Sequence, residues 1–469
     1  MSFLNPRRRN EFFFLSRFRA TSLTVAILAF SILVQTGFAQ PVDRRSDTVF
    51  STTLDHFQSG LFSVAAEEFS AFRINNPDHL RFSDALYYEA ESRLALGQTD
   101  EAVRLLTDFE EAYPFHPFSF QARLTLGQHF FEDGDHENAI RTLSLLLEKN
   151  PTNDQAAKAL YWMGEASIHA GRENDGLGYF RRASDEYRET DTAPRAAYAL
   201  AFNEVRMGRY EDASRSFEEL ASRFPSSPLS QNIGLALAEV YYEINDFTRA
   251  VDEIERRLPN LTGTAEDRAV FLLAESYNQL RESPKAILNY RRFTNGDSLN
   301  PYYRRALYGL AWNYHHEGSF EWAADNFGLV HVADQNADGL AAQAMYYEAV
   351  NRKLERRTDE AALIFRAFAT SWPDHDLADN GWFELGILFY ELNMWRDANL
   401  AFDVVVDQYE DSDLMGEALL HRGNTFIALG DFDSALEMFN RAIDLQAAPI
   451  ALKGEIVFQK AWLLYRNRQ

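Results

Sequence analysis

The 469 residues include 46 Lys and Arg against 70 Asp and Glu, a formal net charge of −24, and no cysteine. So acidic a surface repels nucleic acid and anionic lipid headgroups. The absence of thiols excludes disulfides, thiolate metal sites and a lipidated cysteine.

The N-terminus comes first in chain order. Arg7, Arg8, Arg9, Arg17 and Arg19 precede an apolar run from Ala20 to Val34, and Gly37-Phe38-Ala39 offers small residues where a signal peptidase reads. Residues 1–39 are therefore expected to be a signal peptide. Export is expected to be of the Sec type, because Arg8-Arg9-Asn10-Glu11-Phe12 places its Phe one residue late for a twin-arginine signal. The alternative is an anchor that keeps residues 20–34, but this run is short against the roughly 20 apolar residues that span a bilayer. Cleavage after Ala39 would remove five arginines and one glutamate, moving the net charge to −28.

Beyond the leader, small residues recur as Ala65, Ala102, Ala139, Gly176, Ala213, Ala250, Ala286, Ala323, Ala361, Ala398 and Ala435, spaced by 37 residues eight times and otherwise by 36 or 38. These eleven anchors define eleven copies of one unit. Twelve residues before each anchor stands a second small residue, from Ala90 and Gly127 to Gly386 and Gly423, with Thr53 in the first copy. Four residues after each anchor, one helical turn on, comes a large apolar group such as Phe69, Leu106, Phe180, Tyr290, Phe402 or Phe439. Five residues before it stand Gly60, Gly97, Gly134, Gly171, Gly208, Gly318 and Gly430, with Asn245 and Asn393 in two copies, which suits a left-handed helix end. Arg281 and Arg356 break this rule. Pro77, Pro114, Pro151, Pro225 and Pro373 stop the second helix in five copies. Each copy reads as helix, tight turn, helix, loop. A softer joint is expected at Pro259 to Thr264, where the sixth copy loses its regular ending, and residues 450–469 read as a final helix covering the open end.

These offsets resemble the tetratricopeptide repeat (TPR), with a small residue in the first helix, an Ala in the second, an aromatic a turn later and a closing Pro. The resemblance extends over residues 45–469. Its copies are longer than the usual repeat of about 34 residues, and loops such as Phe224-Pro225-Ser226-Ser227-Pro228 and Trp372-Pro373-Asp374-His375-Asp376 are similar to those of bacterial envelope members, the Tol-Pal coordinator and the TPR lipoprotein of the outer-membrane assembly machine. The resemblance implies an all-α, right-handed TPR superhelix of about eleven 37-residue repeats across residues 40–449, closed by a capping helix.

No catalytic arrangement is present: the chain lacks a P-loop, a dinucleotide-binding glycine pattern, an HExxH helix and a Gly-x-Ser-x-Gly elbow. The adjacent His315 and His316 lie about 100° apart on a helix and cannot chelate as an i, i+4 pair would. Asp334-Gln335-Asn336-Ala337-Asp338-Gly339 opens like a calcium loop, but its twelfth position is Met345 where a bidentate Glu is needed. Neither a metal nor a cofactor is expected.

What remains is surface. In TPR folds the first helices line the ligand face, and fifteen residues before the anchors eight of eleven positions are aromatic: Phe50, Tyr87, Tyr161, Tyr198, Phe271, Tyr308, Tyr346 and Phe383. One turn later the row is acidic in its N-terminal half, with Glu91, Glu165, Glu239 and Glu275, and apolar in its C-terminal half, with Trp312, Val350 and Ile387. Such rings either bind extended peptides or stack between neighbouring first helices. The expected partner groove comprises Tyr161, Glu165, Tyr198 and Glu239, together with Arg305, Tyr308, Trp312 and Tyr346. The carboxylate clamp of some TPR proteins needs Lys, Asn and Arg in slots that carry Tyr, Phe, Glu and Trp here, so chaperone tails are not the expected ligand. The resemblance and the leader together imply a non-enzymatic scaffold for protein partners in the cell envelope, in outer-membrane assembly, cell-wall or Tol-Pal-like complexes. It would lie in the periplasm or at the outer-membrane periphery, with no nucleic acid bound and no stable membrane insertion after cleavage. The alternatives are a glycan- or peptidoglycan-binding accessory subunit and a membrane-anchored assembly factor.

Overall fold

The hairpins are built by letting a small side chain receive a large one. In the computed structural model, which describes residues 44–149, 151–295, 298–332, 339–446 and 449–466, every anchor alanine is fully buried. The apolar group four residues later is no more than 2% exposed in any copy. It inserts against the small residue of the first helix. A Cβ added at Gly164 would lie 2.6 Å from the Phe180 ring, and one at Gly386 would lie 2.6 Å from the Phe402 ring. The expected signal peptide and the calcium-like segment at residues 334–338 lie outside the described residues.

Every element among the described residues is helical, and the fold is an all-α solenoid. The chain divides into two compact units, Met1–Asn245 and Asp246–Gln469. In the first, hairpins run from Arg44–Gln58 with Phe62–Asn75 to Ala193–Arg206 with Tyr210–Arg223, followed by Pro228–Asn232 and Gly234–Glu243. In the second, Phe247–Arg257 precedes hairpins running from Thr264–Gln279 with Ser283–Thr294 to Met415–Leu429 with Phe432–Asp444, and Ile450–Arg466 ends the series. Within each unit a helix touches its sequence neighbours and the next copy's corresponding first helix, as Ser119–Glu132 touches Asn153–His169 and Ala378–Glu391 touches Met415–Leu429. That is the contact pattern of a solenoid, whose core is a ribbon. The sixth copy does end irregularly: a 3-10 turn at Leu258–Asn260 leads into Gly263 at φ 62°.

All eleven turns take the left-handed conformation five residues before the anchor, including those at Arg281 (φ 59°) and Arg356 (φ 63°). Both arginines close the same hydrogen-bonded cap as the glycines, with Glu282 N donating to Tyr277 O at 2.9 Å and Arg357 N to Arg352 O at 2.9 Å. Stacking therefore imposes a backbone that an L side chain resists by roughly 1–2 kcal/mol. Arg281→Gly and Arg356→Gly are each expected to stabilise the chain by about 1 kcal/mol, since glycine's greater unfolded freedom offsets part of the relief. Denaturant unfolding checks this, and an unchanged or lowered midpoint would contradict it.

A polar row accompanies the core. Ten residues before their anchors, Ser92, Asn203, Ser276, Asn313, Asn351 and Thr425 are at most 5% exposed. Each donates to the carbonyl four residues earlier in its own helix, at 2.7–2.8 Å. Helix-to-helix contact can therefore cover these side chains without leaving their donors unsatisfied.

Candidate functional site

The first-helix aromatic row is tied to the core before it is available to anything else. In seven copies the ring fifteen residues before the anchor meets the ring four residues after it, edge-on or tilted. Examples are Tyr161 with Phe180 at 5.7 Å, Tyr198 with Phe217 at 6.3 Å, Tyr308 with Phe327 at 5.5 Å and Tyr346 with Phe365 at 5.5 Å between centroids. Phe50, Tyr87 and Phe271 are buried outright, whereas Tyr161, Tyr198, Tyr308 and Tyr346 are half-buried. Burial raises the phenol pKa of all four half-buried tyrosines, so they stay neutral hydrogen-bonding groups.

The expected groove residues fall into two patches, one in each unit. In Met1–Asn245, Tyr161 and Glu165 stand one turn apart, and the Arg195 guanidinium of the next copy lies 5.1 Å from the Tyr161 ring centroid. Burial raises the Glu165 carboxyl above its usual range, and the Tyr161 hydroxyl and the charges of Arg195 and Arg206 offset this. Tyr198 stacks on Phe202 at 6.1 Å and 9°, and Glu239 is buried, at 3% exposure.

In Asp246–Gln469, Trp312 is the centre of a six-ring cluster. It meets Tyr308 at 6.3 Å, Phe327 at 5.6 Å, Tyr347 at 4.6 Å, His315 at 5.4 Å and His316 at 5.7 Å. Tyr308 also donates to Gln343 Oε1 at 3.3 Å, and His315 Nδ1 is held 2.8 Å from the buried Asn351 Oδ1. Tyr346 joins through Tyr347, 5.2 Å away. Arg305 turns the other way. Its guanidinium lies 5.5 Å from the Phe271 centroid in the preceding copy, where its charge acts on the buried Glu275 carboxyl. The expected Arg305–Tyr308 patch is therefore divided, with the cation serving the copy behind.

Tyr347 is the member that the alignment of equivalent positions misses, because it stands one residue past the aromatic row. Its signal is the doublet Tyr346-Tyr347, repeated as Tyr87-Tyr88 and Tyr161-Trp162. In each doublet the second ring bridges to the preceding copy: Tyr88 to Phe69 at 5.6 Å, Trp162 to Phe131 at 5.6 Å and Tyr347 to Trp312. A doublet thus marks a place where aromatic surface continues from copy to copy.

Elsewhere in the second unit an open cavity of about 590 Å³ is lined by Leu258, Leu261, Leu273, Tyr277, Glu255 and Lys285. Among the described residues no group of three or more His, Asp or Glu could hold a metal ion, and no helix is long and apolar enough to cross a membrane.

Residues 81–193 and 190–295 match the model of the YfiO family, described as outer membrane lipoprotein, and residues 383–451 match a tetratricopeptide repeat model. The chain is a tetratricopeptide-repeat protein. Solved structures are also similar to it. A crystal structure of a TPR protein from Parabacteroides merdae is 18% identical and covers 56% of this chain and 98% of its own, with a TM-score of 0.37. The structure of Naa15/Naa10 bound to HypK-THB is 14% identical and covers 90% and 66%, with a TM-score of 0.41. No curated protein matches this TPR chain by sequence. The 469 residues hold no cysteine, so the acyl-bearing residue implied by the matched family's description has no counterpart in them.

Proposed function

We propose that this TPR protein is a non-enzymatic scaffold of the bacterial cell envelope, exported by residues 1–39, that docks segments of partner proteins on its first-helix face. The observation that carries the proposal is the Trp312 cluster. Tyr308, Trp312, His315, His316, Tyr347 and the Gln343 side chain form one partly exposed surface across two copies, over the buried Phe327 and Asn351, the mixture of large aromatic area and fixed polar groups that anchors protein interfaces. Stacking fixes these rings before a partner arrives, so little ordering cost opposes binding. The match of residues 81–295 to an outer-membrane family supports the envelope setting. The partner complex would belong to outer-membrane assembly, cell-wall or Tol-Pal-like machinery.

Co-purification from envelopes tests this reading. Joint Tyr308→Ala and Trp312→Ala substitution is expected to reduce recovery of bound proteins at least tenfold, the loss of one interfacial hot spot. Tyr308→Phe, which keeps the ring, should leave recovery near that of the parent. Equal recovery by the double variant, with an unchanged unfolding midpoint, would overturn the assignment.

A further inference from the structure

The glutamates of the first-helix face are matched by cations one copy further along. Glu91, Glu165, Glu239 and Glu275 stand eleven residues before their anchors, and eighteen residues before the next anchor the chain places Gln121, Arg195, Arg268 and Arg305 in the same order. Three of the four glutamates thus have an arginine in register, and Glu91 has a glutamine. Where the arginine is present the arrangement repeats. The guanidinium groups of Arg195 and Arg305 lie 5.1 Å and 5.5 Å from the ring centroids of Tyr161 and Phe271, and their charges pull down the Glu165 and Glu275 carboxyls. An aromatic face carries the flat cation while a carboxylate one turn on balances its charge.

The second copy has each part of this site except the cation. Tyr87 takes the ring position, and Phe118 stacks on it at 4.5 Å and 21°, as Tyr302 stacks on Phe271 at 4.7 Å and 24°. Phe118 and Tyr302 stand at the same offset from their anchors, so the two sites share one frame. Since Tyr302 and Arg305 fit around Phe271 together, Phe118 does not take the cation's place at Tyr87. Gln121 is exposed and Glu91 half-buried. The Glu91 Oε1 atom is buried with no hydrogen-bond partner. Burial raises this carboxyl above its usual range, and among the described residues the Tyr87 hydroxyl alone offsets it. A carboxylate held there is penalised until a cation reaches it.

We infer that Tyr87, Glu91 and Gln121 form a docking site for an arginine side chain of a partner protein, which lies against the Tyr87 ring and pairs with the Glu91 carboxylate. The repeat itself specifies the ligand, because arginine fills this position in the three matched copies. A planar guanidinium can stack on the ring and fork onto the carboxylate at once, which the compact ammonium of lysine cannot. The excess of acid over base in the chain draws a basic segment toward it. The inference rests on the repeat register within Met1–Asn245 and stands without the Trp312 cluster.

N-acetyl-arginine methylamide is the probe, titrated against the full chain by saturation-transfer NMR, with the citrulline analogue as its uncharged counterpart. Saturable binding of the arginine compound is expected, at least tenfold tighter than that of the citrulline compound. Glu91→Gln should weaken it at least tenfold, and so should Gln121→Arg, which supplies the cation from the chain itself. Trp312→Ala should leave it unchanged. Gln121→Arg should also raise the denaturant midpoint, and the rise should vanish when Glu91→Gln is added. Absence of saturable binding would overturn the inference. Equal binding by a folded Glu91→Gln chain would assign the signal to the acidic surface at large and overturn it too. So would a Gln121→Arg chain that binds the probe as the parent does.

Discussion

Replacing Phe402 with Ala is expected to destabilise the unit Asp246–Gln469 by about 3–5 kcal/mol, the cost of emptying a large buried aromatic site. Phe402 is fully buried. It meets Phe383 at 5.7 Å and lies parallel to His421 at 5.6 Å and 19°. Gly386, whose missing Cβ makes room for the ring, cannot follow it into the void. The same substitution should be visible at His421, whose pKa burial lowers in the parent. Water entering the cavity would move that pKa back toward its ordinary value. Denaturant unfolding with a histidine NMR titration reads both effects. A loss under 1 kcal/mol with an unmoved His421 would show that neighbouring copies close over the site.

The second large effect is tied to pH. Tyr290→Phe keeps the ring that most copies use at this position but removes the hydroxyl that donates to Glu275 Oε1 at 2.6 Å. Burial raises the Glu275 pKa, and the Tyr290 hydrogen bond pulls it partly back. A carboxyl raised in the fold favours folding fully below its unfolded value, near 4.5, and loses that contribution as pH rises through the folded value. Without the hydroxyl the folded value rises further, and the buried carboxylate is penalised more at neutral pH. The variant is therefore expected to lose about 1–3 kcal/mol at pH 7 and progressively less as the carboxyl becomes protonated. Melting temperatures of both proteins between pH 4 and pH 8 check the sign. A difference independent of pH would mean that the hydroxyl acts through something other than the Glu275 charge.

The hairpins were legible because their packing repeats. A small residue stands opposite a large one in ten of the eleven copies, with Thr53 in the first, and the offsets that place Gly386 under Phe402 or Gly164 under Phe180 recur along the chain. The turns at Arg281 and Arg356 were not legible, because the left-handed penalty at one residue is small beside the stacking that imposes it. The site was legible in part. Tyr308 and Trp312 meet as their helical spacing requires, whereas Tyr347 lies one position outside the row, and its role emerges only where two copies touch. Arg305 shows the limit of reading along one helix: a long side chain leans back toward the preceding turn, and here a buried carboxyl in the preceding copy attracts its charge. The division after Asn245 has no marker in composition.

The central claim is that the Trp312 surface docks protein. Its most direct test is a photo-crosslinking amino acid placed at position 308 in native cell envelopes, with a control at Leu400, an exposed second-helix residue. The account predicts a dominant protein adduct from position 308 that is absent from position 400. Cell-wall fragments alone, or no adduct above the control, would contradict it.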